Sequence, residues 1–306
     1  MKTPNRISAM VLLASFVLAA CGGGGGGGDG GGGGGGSPPP ATGKSWGTAQ
    51  LIAVSSALDA RIPKIAFDTN GNAIAVWVQY DGTRYNVWAN RYTPVGGWES
   101  AQPIETSDGD ANHLLIESTP PQVAFDASGN ALAVWTQSDG TRWNIWSNRY
   151  APGSGWGTAQ LIETDNVGNA GSPHIAFDSN GSALAIWRQR VNTPFLGQRF
   201  AIRANRYIAG TGWGTAVQVD VGLSIAENSD GPQIAIGPGG AAIAVWQQSD
   251  GTRYNIMSNR YVAGIGWGTP HAIESNAGDA YSARIGIDAS GNAIVVWQQY
   301  DGWLSV

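Results

Sequence analysis

The chain has 306 residues, 42% hydrophobic and only 13% charged, with 17 basic against 22 acidic side chains. A net charge of −5 excludes a nucleic-acid binder built on a basic face, and the single Cys excludes an intrachain disulfide. Much of the glycine lies in one tract, so the chain from about Lys44 onward has the length and composition of one large all-β domain.

The first elements are not part of that domain. Lys2 and Arg6 form a short basic region, and residues 7–20 are an apolar run too short to span a bilayer as a helix. The run ends Leu18-Ala19-Ala20-Cys21-Gly22, which resembles the lipobox of bacterial lipoproteins. The resemblance implies a signal peptide over 1–20, removed to leave Cys21 as an acylated, palmitate-bearing N-terminus. It also implies the membrane as a partner. Gly22 stands where an Asp would retain such a protein at the inner membrane, so the implied location is the outer membrane of the cell envelope. Residues 21–43 follow as a tether. Its glycines carry no Cβ and lose the most entropy on ordering, so about fifteen of them reach roughly 20 Å as a coil. Residues 38–40 are three prolines that stiffen its end.

From 44 to 306 one unit is written five times, at a spacing marked by Trp46, Trp98, Trp156, Trp213 and Trp267. A period of 50 to 60 residues with no helical periodicity after Ala20 points to a repeat array of strands. In the second copy, strand b is residues 122–125, strand c 131–136 and strand d 143–150. Strand a is the alternating run 156–163 that begins with the next marker Trp. Strand c is almost wholly apolar, as for a strand covered on both faces. Asp126-Ala127-Ser128-Gly129-Asn130 is a tight b–c turn, with Asp to cap the backbone and Gly to supply positive φ. The c–d turn is Ser138-Asp139-Gly140-Thr141. The long links, 106–120, 164–173, 219–232 and 275–283, join a to the next b as crossovers.

The Asp-x-x-Gly-Asn turn closing on Ala-Val-Trp resembles bacterial β-propeller repeats of the NHL type and, more distantly, sialidase Asp-boxes. It departs from the Asp-box pattern, so no glycosidase residue carries over. The implied fold is an all-β propeller of five four-stranded blades with strand b nearest the axis. Residues 46–52 would supply the outer strand of the fifth blade and so hide the sheet edges. The alternative is an open arc of a truncated, larger ring. Trp77, Trp135, Trp187, Trp246 and Trp297 hold one equivalent site and are expected to fill the wedge between blades. In Asn90-Arg91-Tyr92 and its copies, the Arg is expected to bury its stem between blades against a carboxylate.

No catalytic constellation stands out, and no cofactor or metal is implied. His113, His174 and His271 fall at non-equivalent positions without ligand spacing. Asp108-Gly109-Asp110-Ala111-Asn112 begins like a calcium loop but has His113 where Gly is needed and Thr119 where Glu is needed. The repeated polar–aromatic set Asp81, Arg84, Tyr85; Asp139, Arg142, Trp143; and Asp250, Arg253, Tyr254 forms the candidate ligand face, with Phe200 in the divergent third copy. The bland reading of the same set is an Asp-capped turn with an exposed ion pair. The function expected is that of a monomeric, lipid-anchored binding or adhesion module for a glycan or protein. One alternative is a carbohydrate-active enzyme using Glu117, Asp165, Asp220 or Glu227 in the crossovers. Another is a non-catalytic envelope scaffold.

Overall fold

A computed structural model describes residues 12–13, 47–55, 58–111, 119–165, 168–193, 197–220, 231–275 and 278–300. Cys21, the glycine tract and the expected signal peptide lie outside these residues, apart from β1 (Leu12–Leu13), which pairs with β2 (Gln50–Leu51). No helix among the described residues is long and apolar enough to cross a membrane.

The strands form an all-β propeller architecture. The first sheet contains β3 (Ala60–Phe67), β4 (Ala73–Tyr80), β5 (Tyr85–Thr93), β6 (Gly97–Trp98) and β7 (Gln102–Pro103). The second contains β8 (Gln122–Phe125), β9 (Ala131–Ser138), β10 (Trp143–Ala151), β11 (Gly155–Trp156) and β12 (Gln160–Leu161). The third contains β13 (Ala170–Phe177), β14 (Ala183–Thr193), β15 (Gly197–Ile208), β16 (Gly212–Trp213) and β17 (Val217–Gln218). The fourth contains β18 (Gln233–Ile236), β19 (Ala242–Ser249), β20 (Tyr254–Val262), β21 (Gly266–Trp267) and β22 (His271–Ala272). A fifth sheet contains β23 (Ala280–Ile287) and β24 (Ala293–Gln299). All pairings are antiparallel, and in the first four sheets the order runs b, c, d, a as the turns dictate.

Strand a is not the single strand its alternation suggests. Its two short segments both pair with strand d: Tyr150 faces Trp156, whereas Trp146 faces Leu161, so residues 157–159 oppose only Asn148 and Arg149. One extra residue makes a bulge. The third copy's c–d connection is also more regular than expected, because β14 and β15 extend into a longer hairpin. In the fourth sheet, residues 237–241 lack the Asp of the b–c turn and keep its closing hydrogen bond, Gly237 N to Ala241 O at 2.8 Å, through a 3-10 turn. Elsewhere the capping Asp is in place: Asp126 Oδ1 accepts from Ser128 N at 2.8 Å and Asn130 N at 2.9 Å, and Gly129 has φ 80°.

The core lies between sheets. Trp77, Trp135, Trp187 and Trp246 are buried on the c strands, and each packs with the apolar residue ending the preceding strand a: Ile52, Ile104, Ile162 and Val219. Each indole Nε1 donates to the Gln two residues on, as Trp135 does to Gln137 at 3.0 Å. That Gln in turn holds the incoming crossover: Gln137 Nε2 donates to Gly109 O and Glu105 Oε2, both at 2.9 Å.

The predicted closure of the fifth blade by residues 46–52 is not present in the hydrogen bonding of the described residues. Strand β2 pairs with β1, and Ile52 is fixed to the first sheet, buried with Ala60, Ala75 and Trp77, its carbonyl accepting from Asn90 Nδ2 at 3.0 Å. The far face of the fifth sheet is open, with Ile294 72% and Val296 60% exposed. The described residues thus form an arc of four complete sheets and a two-stranded fifth.

Candidate functional site

The Asn-Arg-Tyr triplets sit on strand d, where alternation sends Asn and Tyr to one face and Arg to the other. The structure buries the Asn most deeply, and the Arg is half-buried in the first and third copies but exposed in the second and fourth. Asn148 Nδ2 donates to Ile104 O of the preceding sheet at 2.7 Å and to Gly157 O of its own bulge at 2.9 Å. Asn205 and Asn259 repeat this clip onto Ile162 and Gly214, and onto Val219 and Gly268. Arg91 pairs with Glu99 at 2.6 Å and lies over the Tyr150 ring of the next sheet, and Arg206, 4.0 Å from Asp178, lies likewise over Tyr261, so these two follow the expected packing against a neighbouring sheet with a carboxylate, whereas Arg149 and Arg260 do not.

This arrangement opens a groove at the outer rim between neighbouring sheets. Between the second and third sheets it has a volume of about 410 Å³, with Asn148, Arg149, Thr158 and Gln160 on one wall and Tyr207 and Trp213 on the other. The equivalent groove between the third and fourth sheets, about 310 Å³, has Asn205, Arg206, Thr215 and Gln218 facing Tyr261 and Trp267. The aromatic pairs are edge-on, with ring centroids 5.6 Å apart for Tyr207 and Trp213 and 5.4 Å for Tyr261 and Trp267. An amphipathic ring beside hydroxyl and guanidinium donors is a surface on which a polyhydroxylated ring can stack and hydrogen-bond.

The candidate face on the c–d turns has a different character. Asp81 Oδ1 accepts from Thr83 N at 2.7 Å and Arg84 N at 2.9 Å, and its Oδ2 accepts from Asn86 Nδ2 at 2.7 Å. These bonds hold the carboxyl well below the usual carboxylate range. Asp139 and Asp250 repeat the cap, with Thr141 and Thr252 as their main donors. Arg142 lies 3.7 Å and Arg253 3.8 Å from the Asp of its own turn, whereas Arg84 reaches Asp108 at 3.0 Å. Tyr85 and Phe200 are buried, Trp143 and Tyr254 half-buried. Phe200 is sandwiched by Arg188 and Arg190, and Tyr254 packs on Tyr281 at 5.2 Å.

Beneath these turns lies a series that the sequence reading missed. Glu105, Glu163, Asp220 and Glu274 each follow the apolar residue that ends strand a, and all four are drawn under the c–d hairpin. Arg84 stands 3.9 Å from Glu105, Arg142 3.8 Å from Glu163 and Arg253 3.8 Å from Glu274. The third copy lacks the turn Arg. There Arg203, in place of Trp88 or Trp146, binds Asp165 at 2.7 Å and also draws on Asp220. Burial pushes Glu105 and Glu163 up to about 7 and Asp220 up to about 6, against the pull of these arginines and of neighbouring backbone amides. The recurring Ile-Glu, Ile-Glu, Val-Asp, Ile-Glu was the signal in the sequence.

Of the crossover carboxylates named as an enzyme's candidates, Asp165 is held by Arg203 and by Gln189 Nε2 at 2.7 Å, Asp220 is buried, and Glu117 and Glu227 lie outside the described residues. Asp108 pairs with Arg84, and Asp110 accepts from Tyr85 N at 3.3 Å. Among the described residues no three His, Cys, Asp or Glu side chains form a metal-binding group. His113 is outside them, His271 is exposed on β22, and His174 lies on the inner strand β13.

No family model matches the chain, and no curated protein matches it in sequence. Solved structures match it in fold. The endo-arabinase from Bacteroides thetaiotaomicron VPI-5482 is 14% identical, with 78% of this chain and 88% of that one covered and a TM-score of 0.45. A protein of unknown function from Dyadobacter fermentans DSM 18053 is 9% identical over 78% and 75% of the two chains, TM-score 0.50. The polysaccharide lyase Uly1 is 9% identical over 78% of this chain and 55% of its own, TM-score 0.51. At such identities the chain is similar to the latter two proteins in its fold.

Proposed function

We propose that this chain is a carbohydrate-directed β-propeller of the cell envelope, tethered through acylated Cys21. The observation that carries the reading is the pair of equivalent rim grooves, each setting a Tyr–Trp edge against Arg and Thr donors. Stacking of sugar rings on Trp213 and Trp267 with hydrogen bonds from the opposite wall is the contact that this chemistry supports. Calorimetry with a panel of neutral and acidic oligosaccharides tests it. Trp213→Ala with Trp267→Ala is expected to weaken the best ligand about tenfold or more, equivalent to about 1.4 kcal/mol. Unchanged affinity in that double variant rejects the grooves.

Catalysis on a polysaccharide is the second reading. The kind of protein that shares this fold, a polysaccharide lyase among them, favours it over binding alone. Asp220 is the described crossover residue whose carboxyl burial pushes toward neutrality, to about 6. Assay of reducing-end and unsaturated-product release from polysaccharides, with Asp220→Asn as control, tests this. Release that survives Asp220→Asn excludes that residue as the acid–base group. Tethering is tested separately by acyl labelling of the full chain and of Cys21→Ala, the label being expected in the first and absent from the second.

A further inference from the structure

The arginine of the Asn-Arg-Tyr triplet has a different neighbourhood in each copy, and single residues decide it. Arg91 is closed by Glu99 at 2.6 Å and lies over the Tyr150 ring. Glu99 follows the marker Trp98, whereas Gly157, Gly214 and Gly268 follow the next three markers. Arg206 turns instead to Asp178 Oδ2 of its own b–c turn, at 4.0 Å, and lies over Tyr261. Ser182 ends that turn, giving its backbone N to Asp178 Oδ1 at 2.9 Å and leaving Oδ2 to the Arg. In the first two copies an Asn ends the turn and engages the same oxygen: Asn72 Nδ2 donates to Asp68 Oδ2 and Asn130 Nδ2 to Asp126 Oδ2, both at 2.7 Å. The fourth turn, residues 237–241, has no Asp at all.

Arg149 and Arg260 are therefore left without either carboxylate. Both are exposed, and neither guanidinium has an ion pair, hydrogen bond or ring contact among the described residues. Only Arg149 meets an aromatic wall. It lines the groove of about 410 Å³ between the second and third sheets, with Tyr207 and Trp213 on the other wall and no acidic residue in the lining. Arg260 is on β20 of the fourth sheet, and β23 and β24 of the fifth carry no counterpart of the Tyr207–Trp213 pair. The groove between the third and fourth sheets has its aromatic wall, Tyr261 and Trp267, but its cation, Arg206, is already paired with Asp178. Among the described residues one groove alone thus joins an uncompensated cation to a ring surface.

We propose that the groove between the second and third sheets is selective for an acidic sugar, its ring against Trp213 and its carboxylate on Arg149. The inference rests on the carbohydrate reading of the rim grooves and adds to it the charge of the ligand. The planar fork of a guanidinium matches the two oxygens of a carboxylate. Arg149 breaks no ion pair to make that contact, whereas Arg206 must give up Asp178 and Arg91 must give up Glu99. The equivalent grooves therefore differ in the ligand charge they favour, although their aromatic walls are alike.

The experiment is calorimetry on the full chain with three probes: an oligogalacturonate, a neutral arabino-oligosaccharide and inorganic sulfate. Each is titrated against the unaltered protein, Arg149→Gln and Arg260→Gln. Both arginines are exposed and without partners among the described residues, so neither substitution removes a contact that holds the fold. The oligogalacturonate is expected to bind more tightly than the neutral sugar, and Arg149→Gln to weaken it about tenfold while leaving the neutral sugar as it was. Arg260→Gln removes the same charge away from the groove and should change neither. A neutral sugar bound as tightly as the acidic one, an Arg149→Gln variant that weakens both sugars alike or neither, or an equal loss in Arg260→Gln overturns the inference and leaves the carbohydrate reading standing. Sulfate binding as tight as that of the oligogalacturonate overturns it too, because the sugar ring then contributes nothing. Failure of both sugars to bind the unaltered protein rejects the grooves themselves, and the inference with them.

Discussion

Replacing Glu163 by Gln should stabilise this protein at alkaline pH. The Glu163 side chain is fully buried, 3.8 Å from Arg142, and burial raises its carboxyl from 4.5 to about 7. Between those two values the folded chain holds a proton that the unfolded chain has released. The unfolding free energy therefore falls as pH rises through that window, and the loss is complete above about 7. At 1.36 kcal/mol per pH unit the loss amounts to about 3 kcal/mol for this residue. Glu105, also buried and also raised to about 7, adds a loss of the same sign. Gln has the shape of the protonated acid and no charge to desolvate. Urea unfolding at pH 5, 6, 7 and 8, read by tryptophan fluorescence, should show the wild type weakening steadily while Glu163→Gln stays flatter. The two should be nearly equal at pH 5, with the variant ahead at pH 8 by up to about 3 kcal/mol. A wild type equally stable at pH 5 and 8, or a variant weaker at pH 8, would refute the claim that desolvation outweighs the pull of Arg142.

On the acid side the trend reverses: Asp59, Asp81 and Asp139 are held low by hydrogen bonds from Arg61, from Arg84 N and from Thr141, so stability that they contribute above about 4 should disappear as pH falls below it, visible as acid unfolding in circular dichroism. Trp135→Ala should lower the unfolding free energy by about 3–5 kcal/mol, whereas Trp297→Ala, on the open fifth sheet, should cost clearly less in the same denaturation assay. Asn148→Ala strands the buried Ile104 carbonyl and releases that of Gly157, and should cost about 1–3 kcal/mol, with faster hydrogen exchange along β12. Gly109→Ala would drive a Cβ into the Ser138 carbonyl, and thermal melts should record a loss of about 3 kcal/mol.

Much of the architecture could be read directly. The Asp and Gly of each b–c turn act locally, through hydrogen bonds two to four residues long, so their effect does not depend on what surrounds them. In the first four copies the c strands are apolar on both faces because both faces are covered, and the recurring Trp filled the expected wedge; the fifth copy, with Trp297, did not follow. Strand a was harder. Its alternation looks regular, but the bulge at 157–159 exists because Asn148 draws the Gly157 carbonyl inward while holding the preceding sheet. The Asn-Arg-Tyr triplet was misjudged for the same reason: period-two alternation says that Asn and Arg face opposite ways, and only the stacking of sheets says which way is inward.

The chain by itself determined the repeat, the strand order within each sheet, the turn geometry and the layer of tryptophans, since all of these follow from contacts within one unit of about fifty-five residues. Tertiary structure alone decided which carboxylates are buried beside which arginines, and that Arg203 replaces the missing turn Arg of the third copy. Those pairings join residues 21 to 38 positions apart in the chain, and a one-dimensional pattern carries no information about which carboxylate is drawn under which hairpin.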